Sequence, residues 1–376
     1  MSRLILAGAG YTHLFVLEAA ARGAVPGTDL VLVSSEESLG YTGMLPGVVA
    51  GRLAPEAATI DLRRLVERAR GRFVHGSIKR IDPAHREVLL ESGEKLGYDL
   101  LSLSLTGAPS GMELPGVEQY ALSARTLDGA VALGRALDRA AKQEGPEPLR
   151  VVVVGGGAAG VELALAARAR LDQQGAALAA VMLLEPGHTV LPEGSPRAQA
   201  EARLALRAAD ITLRPTTAVA GAGVDHLKLV GDGVLPVDLL IWATASAPPT
   251  LFRESELSTE SHGYLLVDEM LRVRGRPGIL ASGEGVVPEA WQNAPRRTFS
   301  VLRQGGVLAA NLAILAADPD TTRGFRRFKP RWKAPALMAA TGGQAILSYD
   351  ALVFKGEWVL RLKDLLDRRF VQRFAT

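Results

Sequence analysis

Three glycines, Gly155, Gly157 and Gly160, stand in the spacing G-x-G-x-x-G, and an acid, Glu185, closes the next apolar run. Residues of these types at this spacing suit dinucleotide binding. The first glycine permits a tight turn, the second lets backbone N–H groups approach a pyrophosphate, and the third lets a helix pack close to its strand. A carboxylate at Glu185 accepts hydrogen bonds from both hydroxyls of an adenosine ribose and repels a 2'-phosphate, so NADH is expected rather than NADPH. The expected contacts are Gly155, Gly157, Ala158, Ala159, Gly160 and Glu185. A strand-helix-strand unit that holds no nucleotide is the alternative.

The elements that position these residues are legible around them. Val151 to Val154 are four consecutive valines and read as a fully buried parallel strand; Ala158 to Arg170 runs at helical spacing, and Ala180 to Leu184 is a second apolar strand.

Residues 3 to 33 repeat this order. Leu4 to Ala7 reads as a strand, Gly8-Ala9-Gly10-Tyr11-Thr12-His13 as the turn, the stretch to about Arg22 as a helix, and Leu30 to Val33 as the second strand. Two such units suggest two dinucleotides, FAD with NADH. The unit departs from the first pattern twice. His13 stands where the third glycine is expected, so the helix either sits further from its strand or uses the imidazole to fill the gap; a packed histidine bonded to backbone is the plainer expectation. The second strand ends in Ser34-Ser35-Glu36, so the ribose partner is either displaced to Glu36 or replaced by a hydroxyl.

Further on, Gly40 to Gly51 reads as a glycine-dense loop suited to lie on a flat cofactor, Ile60 to Arg70 as an amphipathic helix, Phe73 to Leu90 as a β-meander, and Tyr98 to Leu105 as a strand closing in Thr106-Gly107-Ala108-Pro109. Phe299 to Ala316 reads as a helix. Gly356 to Phe374 places Trp358, Leu362, Leu365, Leu366, Phe370 and Phe374 on one face and Arg361, Lys363, Arg368, Arg369 and Arg373 elsewhere. Such a helix lies in an anionic membrane interface or docks its apolar side on the protein. Phe325 to Trp332 reads the same way, with stacking on RNA as a weaker option.

Composition narrows the classes. At 376 residues and 48% hydrophobic, the chain can form two or three domains of ~150 residues. No apolar run reaches the ~18 residues of a membrane span, and the N-terminus enters a strand directly, so a cytoplasmic protein is expected. There is no cysteine, which excludes disulfides, thiolate metal sites and a redox-active cysteine pair. No metal site is expected. From Arg323 onward 12 Lys or Arg face 4 Asp or Glu, although the whole chain is only +3, and 8 of the 19 aromatics lie there too. That last segment has a surface chemistry of its own.

The order of glycine unit, meander, strand closing in Thr-Gly-Ala form and second glycine unit resembles the two-dinucleotide flavoproteins that include pyridine nucleotide-disulfide oxidoreductases and type II NADH dehydrogenases. Tyr41-Thr42-Gly43-Met44-Leu45-Pro46-Gly47, Gly8-x-Gly10-x-x-His13 and Arg303-Gln304-Gly305 are similar to the flavoprotein found fused to selenide, water dikinase. The resemblance implies an α/β fold of two Rossmann-like dinucleotide-binding domains in a glutathione reductase-like arrangement: FAD on 1–112 with 265–322, NADH on 113–264, and a small C-terminal segment, 323–376. It implies cofactor contacts at Gly8, Ala9, Gly10, Tyr11, Thr12, His13, Ser34, Ser35, Thr106, Gly107, Gly283 and Glu284, and at Thr244 in the strand end Ala243-Thr244-Ala245. Glu284 stands where the family has aspartate, and Ala245 where it has glycine. Glu162 at the nicotinamide end and Gln304, with Arg303, at the acceptor side are the expected catalytic contacts.

With no cysteine, electrons are expected to pass from NADH to flavin and directly to a small acceptor, a quinone, with the C-terminal helix as a peripheral contact on the inner face of the cell membrane. The alternatives are a soluble NADH oxidase or electron-carrier reductase, and a nucleotide-binding sensor without catalysis, which the departures at His13, Ser34, Ala245 and Glu284 favour. A nucleic-acid partner is not expected, and a homodimer is compatible with the sequence.

Overall fold

Leu4 to Ala7 is apolar on both faces, the pattern of a strand covered by helices on both sides. It lies in the strand Ser2–Ala7, paired in parallel with Thr28–Ser34 and with Leu100–Leu103, and none of its four residues is exposed. The computed structural model describes residues 2–142, 147–176, 178–294, 298–321 and 323–375; the expected boundaries at 1, 322 and 376 lie outside the described residues.

Eight strands form the larger sheet, in the spatial order Val286–Pro288, Leu265–Val267, Arg272–Val273, Arg276–Ala281, Leu100–Leu103, Ser2–Ala7, Thr28–Ser34 and Arg72–His75. Between residues 103 and 265 the chain builds a second sheet of five parallel strands, Ala121–Leu122, Leu239–Trp242, Arg150–Val154, Ala180–Leu184 and Ile211–Arg214. Each sheet carries a glycine turn leading into a helix, Tyr11–Ala21 in one and Ala158–Gln173 in the other. This is the α/β fold with two Rossmann-like units.

The two chain crossings between the sheets are stitched to each other. Ser110 N donates to Ala245 O and Ala247 N to Ala108 O, both at 2.8 Å, while Trp242 Nε1 and Thr244 Oγ1 donate to Ser110 O at 2.8 and 2.7 Å.

Three stretches differ from their expected form. Gly40 to Gly51 is not loop throughout: Leu45–Val49 is a short buried helix wedged against the helices Leu127–Ala141 and Ala158–Gln173. Phe325 to Trp332 is not helical but runs as irregular chain. Thr298–Ala317 is, by length and composition, apolar enough to cross a membrane, against the expectation that no stretch is; here it packs along Tyr11–Ala21 and buries Val301, Leu308, Leu312 and Leu315. Leucines and alanines summed over a window do not distinguish a core helix from a span.

The C-terminal segment is a three-stranded antiparallel sheet, Ala336–Ala339, Ala345–Tyr349 and Leu352–Gly356, followed by the terminal helix Glu357–Ala375. That helix docks, but on a face other than the expected one: Val359, Leu360, Lys363, Asp367, Val371 and Phe374 are buried, while Trp358, Leu365 and Leu366 point outward. Lys363 Nζ donates to Asp367 Oδ2 at 2.7 Å and to the Gly43 carbonyl, with the paired side chains only 4% and 11% exposed. Arg52–Asp364 and Arg373–Glu18, each at 2.7 Å, fasten the rest of the helix to the first unit. A buried pair tolerates the loss of both charges better than the loss of one. Lys363→Met is therefore expected to lower stability in urea unfolding by roughly 3–5 kcal/mol, and Lys363→Met with Asp367→Leu to recover a substantial part of it.

Candidate functional site

In the second unit Gly155 N donates to Leu184 O, which closes the turn onto the neighbouring strand. Gly155 takes φ +111°, and a Cβ at Gly160 would stand 1.7 Å from the Gly155 carbonyl oxygen, so the helix rests directly on the turn. Above it the space is open. A Cβ at Gly157 would meet nothing within 4 Å, Gly157 offers no side-chain cap, and Ala158 and Ala159 are exposed. The unpaired N–H groups of the first helical turn and the positive end of the dipole thus face a free volume of the kind a pyrophosphate fills. Glu185 is positioned in advance: Oε2 accepts from Gly156 N at 2.7 Å and Oε1 from Gly187 N at 2.8 Å. Each carboxylate oxygen retains acceptor capacity for a ribose hydroxyl.

The first unit repeats the closure, with Gly8 N donating to Val33 O and Gly8 at φ +88°. His13 occupies the position of Gly160, and its ring supplies the contact that close packing supplies there. Nδ1 donates to the Gly8 carbonyl at 2.6 Å, and Nε2 accepts from Ser102 Oγ at 2.9 Å. His13 and Thr12 are completely buried, and Thr12 Oγ1 bonds Ser104 Oγ and Ser282 Oγ at 2.7 Å each. His13 is thus the packed histidine bonded to backbone that its place in the sequence leads one to expect, and both side chains brace the turn from beneath. Ser34 is buried as well, and its hydroxyl accepts from Glu36 N at 3.1 Å. The acid at the strand end is Glu36, exposed beside Ser35; its carboxyl is raised by partial burial and by the charge of Asp128. An exposed carboxylate at this strand end suits the hydroxyls of a ribose. Ala9, Gly10 and Tyr11 keep partial exposure above the turn, and Thr106 and Gly107 lie at the adjoining strand end.

The remaining candidates take unexpected positions. Gln304 is 5% exposed and its Oε1 accepts from Gly283 N at 2.8 Å, so it braces the turn before Glu284. Arg303 beside it has a buried Nη1 with no partner among the described residues. Glu162 turns to the C-terminal sheet, where its Oε1 accepts from Ala339 N at 2.7 Å; burial raises its carboxyl, and the nearby Lys363 charge opposes the rise. Thr244 directs its hydroxyl to Ser110.

Sequence reading passed over two features. Tyr41 lies 4.6 Å from the Phe370 ring, and Tyr11 lies 5.7 and 6.0 Å from Tyr41 and Phe370, an aromatic group beside the first glycine turn. Burial pushes the Tyr11 hydroxyl up to about 12, so it stays protonated. The other feature is Arg125, which bonds Glu284; no local pattern announces either.

Burial lowers His13 from 6.5 to about 4. A histidine depressed in the fold stabilises it fully above the unfolded value and loses that contribution as pH falls through 6.5 towards 4. Urea unfolding is expected to show a loss of roughly 3 kcal/mol over this window, and His13→Asn to flatten that part of the profile.

Residues 5–297 match the family described as pyridine nucleotide-disulphide oxidoreductase. The chain is 29% identical over 295 residues to demethylphylloquinone reductase NdbB of Synechocystis sp., covering 75% of this chain and 71% of that protein. It is 24% identical to the external alternative NAD(P)H-ubiquinone oxidoreductase B4 of Arabidopsis thaliana, covering 69% of this chain and half of that one. In fold it matches the sulfide:quinone oxidoreductase of Aquifex aeolicus with a TM-score of 0.82 at 16% identity, over 100% of this chain and 92% of that one. It likewise matches NDH2 of Plasmodium falciparum in complex with NADH, with a TM-score of 0.80 at 17% identity over 100% and 99%. With two glycine turns on two stitched sheets and a family match over most of its length, this chain belongs to the pyridine nucleotide-disulphide oxidoreductase family.

Proposed function

We propose that this chain is an FAD-dependent NADH dehydrogenase that delivers electrons to a quinone. The observation that carries the reading is the pair of glycine-turn helices, each starting on backbone N–H groups, held on two sheets whose crossings are bonded to each other. The names of the relatives in Synechocystis and Arabidopsis support the quinone. In this reading FAD occupies 1–112 with 265–322 and NADH occupies 113–264. Gly8 to Tyr11, Ser35, Glu36, Thr106, Gly107, Gly283 and Glu284 would hold FAD; Gly155, Gly157 to Gly160, Glu185 and Thr244 would hold NADH.

Flavin, when bound, supplies a two-electron carrier that accepts hydride from the nicotinamide and gives two electrons to the quinone, while solvent supplies the second proton of the quinol. The protein contributes position: the stitched crossings set the distance between the two turns, and distance governs hydride transfer. With no cysteine in the chain, no thiol lies between flavin and acceptor.

The outward side of the C-terminal segment fits delivery of an apolar acceptor. Trp332, Trp358, Leu365 and Leu366 are 46–57% exposed, and Arg361, Arg368 and Arg369 stand among them. Aromatic and leucine side chains flanked by arginines favour an anionic lipid surface. Purified protein, recorded without oxygen, is expected to show a flavin band that NADH bleaches and a short-chain quinone restores. A colourless protein after soaking with FAD overturns the reading. Ser at Trp358, Leu365 and Leu366 together is expected to cut co-flotation with anionic vesicles several-fold while leaving reduction of a water-soluble quinone unchanged.

A further inference from the structure

Arg125 belongs to the second unit, between the strand Ala121–Leu122 and the helix Leu127–Ala141, yet its guanidinium reaches a residue at the end of the first sheet. Its Nη2 donates to Ser246 Oγ and, at 3.2 Å, to Glu284 Oε2; Ser246 Oγ donates to the same Oε2 at 2.8 Å. Ser246 is held in turn, because it bridges to Pro109 and its carbonyl accepts from Tyr264 Oη at 3.1 Å. All of this falls on one carboxylate oxygen. Glu284 Oε1 has no protein partner among the described residues, and the Arg125 and Glu284 side chains stay 31% and 32% exposed. Ser282, two residues before Glu284, bonds Thr12 at 2.7 Å, and a Cβ at Gly10 or at Gly283 would meet the same Ser104 hydroxyl. The strand end that carries the carboxylate therefore adjoins the first glycine turn, with one carboxylate oxygen anchored and one presented. A charge-assisted bond is the strong, directional kind that can orient a flexible glutamate.

We infer that Arg125 and Ser246 are positioning residues that hold Glu284 so that its free oxygen accepts a hydroxyl of the flavin's ribityl chain, making flavin retention depend on how the two units are docked. The inference rests on the flavin reading above. By linkage, flavin binding strengthens the contact between the units as much as that contact strengthens flavin binding.

The test is a fluorescence titration of the full apo chain with FAD, together with the rise in thermal midpoint that FAD produces. Arg125→Ala is expected to weaken FAD binding about tenfold. Ser246→Ala should weaken it several-fold, Arg125→Lys should fall between Arg125→Ala and wild type, and Glu284→Asp should lose as much as Arg125→Ala. Arg135→Ala, an exposed control on the following helix, should match wild type. Arg125→Lys and Ser246→Ala keep the test decisive if Arg125→Ala fails to fold. Wild-type affinity and an unchanged flavin midpoint potential in Arg125→Lys and Ser246→Ala would overturn the inference while leaving the flavoenzyme reading intact. A wild-type protein that takes up no flavin overturns both.

Discussion

The contact on which this structure depends is the seating of a helix start against a glycine turn. At Gly160 the helix comes so close to the Gly155 carbonyl that no side chain fits, and the turn is drawn onto Leu184 of the next strand. Such closeness leaves the N–H groups of the first helical turn turned outward without side-chain caps, and an anion is what they lack. The first unit reaches the same end by another route. His13 puts a ring where the second unit has nothing, and it does so by supplying a donor to the Gly8 carbonyl and taking one from Ser102. The cost of a neutral imidazole buried in the core is offset by two hydrogen bonds that set the depth of the turn.

The C-terminal segment closes over both units. Ala339 N donates to Glu162 on the second unit's helix, while Lys363 reaches Gly43, and Arg373 reaches Glu18 on the first unit's helix. The wedge Leu45–Val49 adds a further joint, since Arg170 donates to the Val49 carbonyl at 2.9 Å and pairs with Asp138 at 2.6 Å. Two sheets joined only by their crossings would be free to hinge. Here polar joints from three elements oppose that motion, and a fixed distance between two dinucleotide turns is what hydride transfer requires.

What was legible in the sequence follows from range. The two glycine units, the runs of valine and leucine and the long helix near 300 are written within 30 residues each, and local spacing identifies them. The face of the terminal helix was misread because periodicity counts apolar residues, whereas the buried face includes Lys363 and Asp367, which satisfy each other. A motif places Thr12, His13 and Ser34 beside a turn, but their bonds to Ser104, Ser282, Ser102 and Glu36 come from residues that the motif does not name. Tyr41 meeting Phe370, and Arg125 meeting Glu284, join residues too far apart in the chain for any local pattern to show.

The departures from the family pattern therefore need not mean lost chemistry. His13 restores by hydrogen bonds what a glycine achieves by closeness. Glu36 provides the acid that Ser34 does not. Glu284 spans from the end of the first sheet to Ser246, a residue of the second crossing, and is anchored there through one oxygen. In two of these cases a neighbouring residue fits the departure: Ser102 for the histidine and Arg125 for the glutamate. Relaxed constraint would leave unpaired polar groups at such positions, because nothing would select a matching partner. At His13 and Glu284 the polar groups are instead paired, and the framework of each glycine turn is kept.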